Sequence, residues 1–136
     1  MLELFQRLKK RRGFTLIELI VVIAILAILA AILVPTMMNI IGTARNQVRE
    51  SNAAAVFSAA QAAYVTLAVV QGVEIEENTD YKSSEGGVLI EEIEKNLGSG
   101  TTAKEEYIVH VTDTGISYVM YGDDNPVRYP AESTSS

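Results

Sequence analysis

The chain has 136 residues, a formal net charge of −6 at neutral pH and no cysteine. A chain of this length holds one domain at most besides an apolar segment, and the lack of cysteine excludes a disulfide framework and a thiolate metal site. Residues 1–13 carry five cations against Glu3, whereas the rest has six basic and 16 acidic residues. That acidic remainder lacks the basic patch needed to bind a phosphate backbone, so no nucleic-acid partner is expected.

A cationic flank leads into a long apolar run. The flank consists of Lys9, Lys10, Arg11 and Arg12. Residues 19–34 are all apolar, and Glu18 is the one charged residue within residues 14–38. A helix over residues 14–38 is about 37 Å long, which is enough to span the hydrocarbon core of a bilayer. The positive flank predicts a single-pass protein with a cytoplasmic amino terminus and an outside carboxyl terminus.

The position of the processing signal distinguishes this segment from an ordinary secretory signal, which is cut after a shorter apolar core. Here the sequence after the apolar run, VPTMMNIIGTARNQ, contains no small-residue cleavage site. The candidate cleavage site precedes the run, where RRG is followed by FTLIE. The stretch RRGFTLIELIVVIAILAILAAILVP resembles the type III signal of type IV pilins and related pseudopilins. The resemblance is specific over residues 9–35 and extends along the helix to about residue 70. Beyond that it rests on the order of the predicted elements alone.

This resemblance implies a maturation route and an α+β fold. A prepilin peptidase would cut between Gly13 and Phe14 at the cytoplasmic face and N-methylate the new amino terminus of Phe14. The implied type IV pilin fold packs the C-terminal half of a long N-terminal helix on a small antiparallel β-sheet. A separate assembly ATPase and inner-membrane platform proteins would draw subunits from the cytoplasmic membrane into a homo-oligomeric helical filament. The expected divisions are a leader (1–13), a transmembrane and filament-core helix (14–38), its amphipathic continuation (39–71) and a head (72–136).

Glu18 is the informative charge, because a carboxylate at the centre of a bilayer helix costs about 2.5–3.5 kcal/mol and usually faces a partner. Cleavage after Gly13 creates one, since Phe14 then acquires a free α-amine. We predict that Glu18 pairs with the Phe14 amine of a neighbouring subunit and thereby sets the axial stagger of a filament. Two alternatives stay open: an intrachain contact one turn back, since positions 14 and 18 share a helix face, and a carboxylate that reaches the membrane surface without a role.

Pro35 and the residues after it predict a bent helix that continues towards Gly72. Proline removes a backbone donor and clashes with the preceding turn, so Pro35 should kink the helix without ending it. Many family members place a proline here, and many carry a glycine in mid-run where this chain has Ala27. Residues 39–71 are rich in small side chains, which permit close helix packing and also favour the helix by propensity.

The head is predicted to contain a loop, a short helix and a β-hairpin. Residues 72–87 are polar, acidic and bounded by glycine, as in an exposed loop. Residues 88–97 have apolar side chains at helical spacing, with Gly98 as the C-cap. EEYIVHVT and GISYVMYG, separated by DTG, predict a hairpin, with a third strand in NPVRYP. The hairpin is expected to lie against the long helix, because a hairpin alone is marginally stable.

Residues with catalytic or metal-binding chemistry are few. His110 lies in a strand-like run without a nucleophile motif nearby, so a structural role is expected. The sequence has no Walker-type loop, so the chain should not itself hydrolyse ATP. The oxygen ligands suited to Ca²⁺ are those of Asp113, Asp123, Asp124 and Asn125, but they lack the ligand pattern of calcium-binding pseudopilins. We expect no enzymatic activity, cofactor or metal site.

Three functions are compatible with these features. The preferred one is a structural pilin of a type IV pilus that serves adhesion, twitching motility or aggregation at the cell surface. The alternative is a pseudopilin of a type II secretion or competence DNA-uptake system. A second alternative is a membrane-anchored adhesin or binding module, which would need a pocket. The missing cysteines, which many Gram-negative pilins use to close a C-terminal loop, point towards a Gram-positive source.

Overall fold

The computed structural model describes residues 13–98 and 105–132. Its elements, in chain order, are helix α1 (Leu16–Tyr64) with a π-helical extension (Val65–Val70), strand β1 (Thr79–Lys82), helix α2 (Val88–Leu97), and strands β2 (Tyr107–Thr112), β3 (Gly115–Tyr121) and β4 (Val127–Tyr129). A long N-terminal helix and a small antiparallel sheet make up the predicted α+β arrangement. The chain divides into two compact units, Met1–Gly42 and Thr43–Ser136.

The first unit presents an exposed apolar helix. Every leucine, isoleucine and valine from Leu16 to Ile41 exposes at least 47% of its surface. By length and composition this helix is able to cross a membrane, which indicates membrane insertion of the precursor. Pro35 lies inside the helix, and the Thr36 hydroxyl donates to the Ile32 carbonyl at 3.1 Å. Such back-bonding often accompanies a bend, and the kink at Pro35 stays a prediction.

The second unit contains a four-stranded antiparallel sheet in the order β1-β2-β3-β4. The predicted hairpin forms from β2 and β3, with Val109 opposite Val119 and a register shift between His110 and Val111. The predicted third strand is β4, which pairs with β3.

The prediction of a plain loop over residues 72–87 was wrong, because β1 lies inside it. Thr79 pairs with Val111 and Lys82 with Ile108, so β1 forms an edge of the sheet beside β2. Its sequence, TDYK, has no run of β-branched residues, and its strand conformation depends on the ladder that β2 provides. The segment before it is fixed by the Tyr81 hydroxyl, which accepts a hydrogen bond from the Glu76 backbone N–H at 2.9 Å.

The core of the second unit lies between α1, α2 and one face of the sheet. The helix and its extension contribute apolar residues, three of them alanine, at alternating three- and four-residue steps: Ala53, Val56, Ala60, Ala63 and Leu67, each at most 3% exposed. The sheet contributes alternate side chains, namely Tyr107, Val109, Val111, Val119 and Tyr121, each at most 1% exposed. Because alanine keeps the helix narrow, the tyrosine and valine side chains of the sheet approach it closely. Apolar burial therefore stabilises this unit without disulfides.

Tyr107 makes the stability of this core sensitive to alkaline pH. Burial raises the pKa of Tyr107 to about 12, and the nearby Glu94 carboxylate adds to the shift. Since the folded-state pKa is raised, the stabilising contribution is complete below the ordinary value of 10.0 and is lost as the pH rises through about 12. We expect the free energy of unfolding to fall in that window by about 1.4 kcal/mol per pH unit from this group.

The matched variant for this prediction is Tyr107→Phe. Within the described residues the Tyr107 hydroxyl has no hydrogen-bond partner, so its removal should leave the stability at pH 7 unchanged or slightly raised. Thermal unfolding of the detergent-solubilised chain, followed by near-ultraviolet circular dichroism between pH 9 and about pH 12, compares the two proteins. Equal alkaline slopes for wild type and Tyr107→Phe would refute the assignment to Tyr107.

Candidate functional site

The predicted cleavage bond lies in non-helical backbone. Residues Gly13 to Thr15 precede the helix, which begins at Leu16. The first helical turn is closed by the Leu19 N–H, which donates to the Thr15 carbonyl at 3.2 Å. Phe14 is 88% exposed. The bond between Gly13 and Phe14 is thus exposed on the surface of the chain, which a peptidase requires for access.

Glu18 and Thr15 form a reciprocal hydrogen-bonded pair at the start of α1. The Thr15 backbone N–H donates to Glu18 Oε2 at 2.8 Å, and the Glu18 backbone N–H donates to Thr15 Oγ1 at 3.3 Å. This is a capping box, in which the N-cap residue and the residue three positions later each satisfy a backbone donor of the other. The carboxylate that looked unpaired in the sequence therefore has an intrachain partner in the uncut chain. That partner is Thr15, three residues back, which the sequence-based prediction missed.

The residues predicted for processing and assembly lie together. Gly13, Phe14, Thr15 and Glu18 line one shallow cleft, so the bond to be cut is next to the carboxylate. Phe14 and Glu18 also border an apolar surface formed with Ile17. The uncut chain has no amine at Phe14, so the pairing with Glu18 stays a prediction. The predicted cytoplasmic flank, Lys9 to Arg12, lies outside the described residues.

A second feature of the helix is an exposed face without charge. No acidic or basic residue occurs between Ser51 and Val70. On the side opposite the core, the exposed residues at heptad-like spacing are Ser51, Ser58, Ala62, Val65 and Val69; we call this set the uncharged seam. The water-facing side of an amphipathic helix is normally polar or charged. Small and apolar residues with this spacing instead suit close packing against another helix.

An arginine connects the helix to the residue pair before β2 and to the loop between β3 and β4. Arg49 Nε lies 2.9 Å from Glu105 Oε2, and Arg49 Nη1 donates to the Asp124 carbonyl at 2.8 Å. Gly122 leaves room for this pair, because a Cβ at that position would lie 2.8 Å from Glu105 Oε2, and its φ of +108° also favours glycine. Asp123 Oδ1 accepts a hydrogen bond from the Glu106 N–H. The Arg49 guanidinium thereby holds the loop between β3 and β4 in place.

Replacing Arg49 by alanine should lower the free energy of unfolding of the second unit by about 1–2 kcal/mol, because Glu105, whose side chain is 31% exposed, loses its partner. Arg45→Ala, which removes an exposed arginine from the same helix, is the control and should change stability by less than about 0.5 kcal/mol. Chemical denaturation of the detergent-solubilised variants measures both. Equal midpoints for the two variants would contradict this role of Arg49.

His110 has structural partners on the outer face of the sheet. Its Nδ1 lies 2.6 Å from Asp80 Oδ1 across the β1–β2 pair, and its ring stacks on Tyr118 of β3 with 4.8 Å between centroids. The Arg128 guanidinium lies 4.2 Å from the centre of the Tyr118 ring. These contacts connect all four strands. Among the described residues, no group of three or more acidic, histidine or cysteine side chains is arranged to hold a metal ion.

In a comparison with known protein families, residues 8–34 match the family described as the prokaryotic N-terminal methylation motif. The match contains the predicted cleavage bond, Glu18 and most of the apolar run, so the chain carries a type IV prepilin signal. Its long apolar helix and small antiparallel sheet fit a pilin. No curated protein and no solved structure matches the chain. The motif supports a pilin-like or pseudopilin precursor and points to a structural subunit. It also implies processing by a prepilin peptidase and assembly into a pilus-type machinery.

Proposed function

We propose that the chain is the structural subunit of a type IV pilus. The precursor is inserted in the cytoplasmic membrane, cut between Gly13 and Phe14, N-methylated at Phe14 and polymerised into a surface filament. The observation that carries the proposal is the joint presence of a prepilin signal at residues 8–34 and an uncharged exposed seam further along the same helix. Adhesion, twitching motility or aggregation would be performed by the filament, with the acidic head exposed.

The two parts of the helix contribute to polymerisation in different ways. When the apolar residues of the first unit move from lipid to protein, the polarity of their surroundings changes little. The favourable free energy of assembly in this part therefore comes from close packing. The uncharged seam is exposed outside the apolar run, and covering it with a neighbouring helix removes valine and alanine surface from water. That transfer contributes about 25 cal/mol per Å² of apolar area buried. The seam therefore supplies a hydrophobic driving force that the membrane-spanning part lacks.

The pairing of Glu18 with the Phe14 amine of a neighbouring subunit would fix the register of this packing. An ammonium–carboxylate hydrogen bond is stronger than a neutral one, and within an apolar filament core it is weakly screened. A subunit one step out of register would bury the ammonium group without a partner and leave the Glu18 carboxylate with the Thr15 N–H alone, at a cost of several kcal/mol. The pair thus favours a single axial stagger.

Electron microscopy and functional assays of a strain that lacks this chain test the proposal. Loss of long surface filaments, restored by the wild-type gene, is the expected result. Intact filaments with lost secretion or lost DNA uptake would instead support a pseudopilin, and normal filaments, secretion and DNA uptake would leave an anchored binding module.

A processing variant extends this test to the peptidase step. A Cβ at Gly13 would meet nothing within 4 Å, so Gly13→Val should not disturb the chain itself. Its uncut precursor should accumulate in the membrane without filaments. Normal cleavage and filaments from Gly13→Val would contradict the proposed processing site.

A further inference from the structure

We propose that a groove on the outer face of the sheet binds the Arg45 side chain of a second copy of this chain. We call it the outer groove, and its lining residues are Glu106, Ile108, Met120, Gly122, Asp123 and Pro126. The inference rests on the proposed function, because the second copy is a neighbouring subunit of the filament. It assigns a contact between the helix of one subunit and the sheet of another, separate from Glu18 and from the uncharged seam.

The floor of the outer groove is apolar. Ile108 of β2 and Met120 of β3 are register partners, and both are half-buried on the sheet face opposite the core. Pro126 adds apolar surface from the loop before β4. The volume of the groove is about 200 Å³, which is below the roughly 300–1,000 Å³ of typical small-molecule pockets. A groove of this size and lining fits the apolar stem of one long side chain.

Two carboxylates border this floor, and hydrogen bonds hold both in place. The Ser84 hydroxyl donates to Glu106 Oε1, and the Glu106 backbone N–H donates to Asp123 Oδ1 at 3.2 Å. The hydrogen bonds found among the described residues leave Glu106 Oε2 and Asp123 Oδ2 without a donor. Lys82, on the adjacent strand β1, donates to Glu85 Oε1 at 3.1 Å, so this cation is bound to a different carboxylate. The outer groove therefore combines an apolar floor with two acceptors for a cation.

Arg45 supplies the complementary charge. In residues 13–98 and 105–132, the other arginine and lysine side chains each form an ion pair within their own subunit, namely Arg49, Lys82, Lys95 and Arg128. Arg45 is exposed, and its side chain has no hydrogen bond or ion pair within those ranges. Arginine has an apolar stem and a planar guanidinium with several donors. The stem can therefore cover Ile108 and Met120 while the guanidinium bridges the two carboxylates.

The position of Arg45 directs it to another subunit. It lies one helical turn before Arg49, and residues 43–48 are all exposed, so the buried contacts of the helix with its own sheet begin only at Arg49. Arg49 already binds Glu105 and the Asp124 carbonyl. Two guanidinium groups one turn apart repel each other, which disfavours a second cation at the same loop. Arg45 is therefore available to a groove that a second copy supplies.

Charge reversal tests this contact in a strain that builds filaments from the chain. Arg45→Glu and Glu106→Arg each bring like charges together, so each should lower sheared filament yield by at least about tenfold. The double variant restores an opposite pair and should recover to within about threefold of wild type. Asp113→Arg, a reversal in the exposed turn between β2 and β3, is the control and should be within about twofold of wild type.

Cross-linking detects the contact directly, because the chain has no cysteine. Arg45→Cys and Asp123→Cys are expressed as two separate chains in one cell, so a link between them joins different subunits. A short bis-maleimide replaces the length lost with the arginine side chain. Filaments treated with it should contain dimers of the two chains, whereas filaments built from Arg45→Cys and Asp113→Cys chains should not.

Three results would overturn the proposal: normal filament yield from Arg45→Glu, a double variant as defective as its parents, or no dimers between the Arg45→Cys and Asp123→Cys chains. Chemical denaturation of Arg45→Ala subunits in detergent should give the wild-type midpoint. A lowered midpoint would assign Arg45 to the fold of its own subunit and would also overturn it. If wild-type filaments contain the chain and Arg45→Glu assembles normally, this inference fails and the proposed function stands. If filaments contain none of the chain, the proposed function itself is wrong.

Discussion

Replacing Glu18 by alanine should abolish filaments while membrane insertion and cleavage after Gly13 continue. The variant removes both the acceptor for the Thr15 N–H and the proposed acceptor for the amine of a neighbouring subunit. A hydrogen bond to a charged group is worth about 1.5–3 kcal/mol, so each subunit addition should weaken roughly tenfold to a hundredfold. That penalty applies at every step of polymerisation, and few filaments of visible length should form.

Glu18→Gln is the matched control for charge. Glutamine retains an oxygen that can accept the Thr15 N–H and has nearly the same shape, but it has no charge to offer an ammonium group. We expect its filament yield to lie well below that of wild type, because the cap survives and the charge pair does not. Immunoblots of sheared and cell-bound fractions, with electron microscopy of the same cells, give the comparison. Wild-type yield from both Glu18 variants would exclude the pairing.

Placing a charge in the uncharged seam should block assembly without unfolding the subunit. Ala62→Glu adds a carboxylate to an exposed position, so the free energy of unfolding of the second unit should change by less than about 0.5 kcal/mol. If a neighbouring helix covers the seam in the filament, the same carboxylate is buried without a partner, at a cost of several kcal/mol. Filament yield should therefore fall by more than about a hundredfold.

Gln61→Glu is the control for this second prediction, because it adds the same charge at a neighbouring exposed residue on the flank of the seam. It should assemble within about threefold of wild type, since a flanking carboxylate keeps access to water. Near-ultraviolet circular dichroism of the detergent-solubilised subunits verifies folding, because the chain has no tryptophan and all six tyrosines lie between residues 64 and 129. Normal filaments from Ala62→Glu would show that the seam is not an interface.

The parts of the fold that could be predicted are those encoded by local sequence patterns. The apolar run, the helical spacing of residues 88–97 and the two β-branched runs around DTG each specify one element, and the structure contains all of them. Strand β1 could not be predicted in this way, because TDYK becomes a strand by pairing with β2. The contact of Arg49 with Glu105 spans 56 residues of sequence, and no local signal connects the two.

In the candidate site, the capping box was not predicted although a local sequence pattern encodes it. Thr15 and Glu18 form the pattern T-x-x-E directly before an apolar run, which is the sequence signature of a capping box. The sequence-based prediction was derived from the cost of a charge in a membrane, and it placed the main partner of Glu18 on another chain. The structure places the first partner in the same helix turn, so Glu18 has a hydrogen-bond partner that does not depend on the filament.

Mass spectrometry of subunits in sheared and purified surface filaments decides whether this chain is a processed filament subunit. We predict that these filaments contain this chain, beginning at Phe14 and carrying one added methyl group on the terminal nitrogen. Subunits of this chain that begin at Met1 in the filaments would contradict this prediction. Surface filaments that contain none of this chain, from cells that express it, would also contradict it.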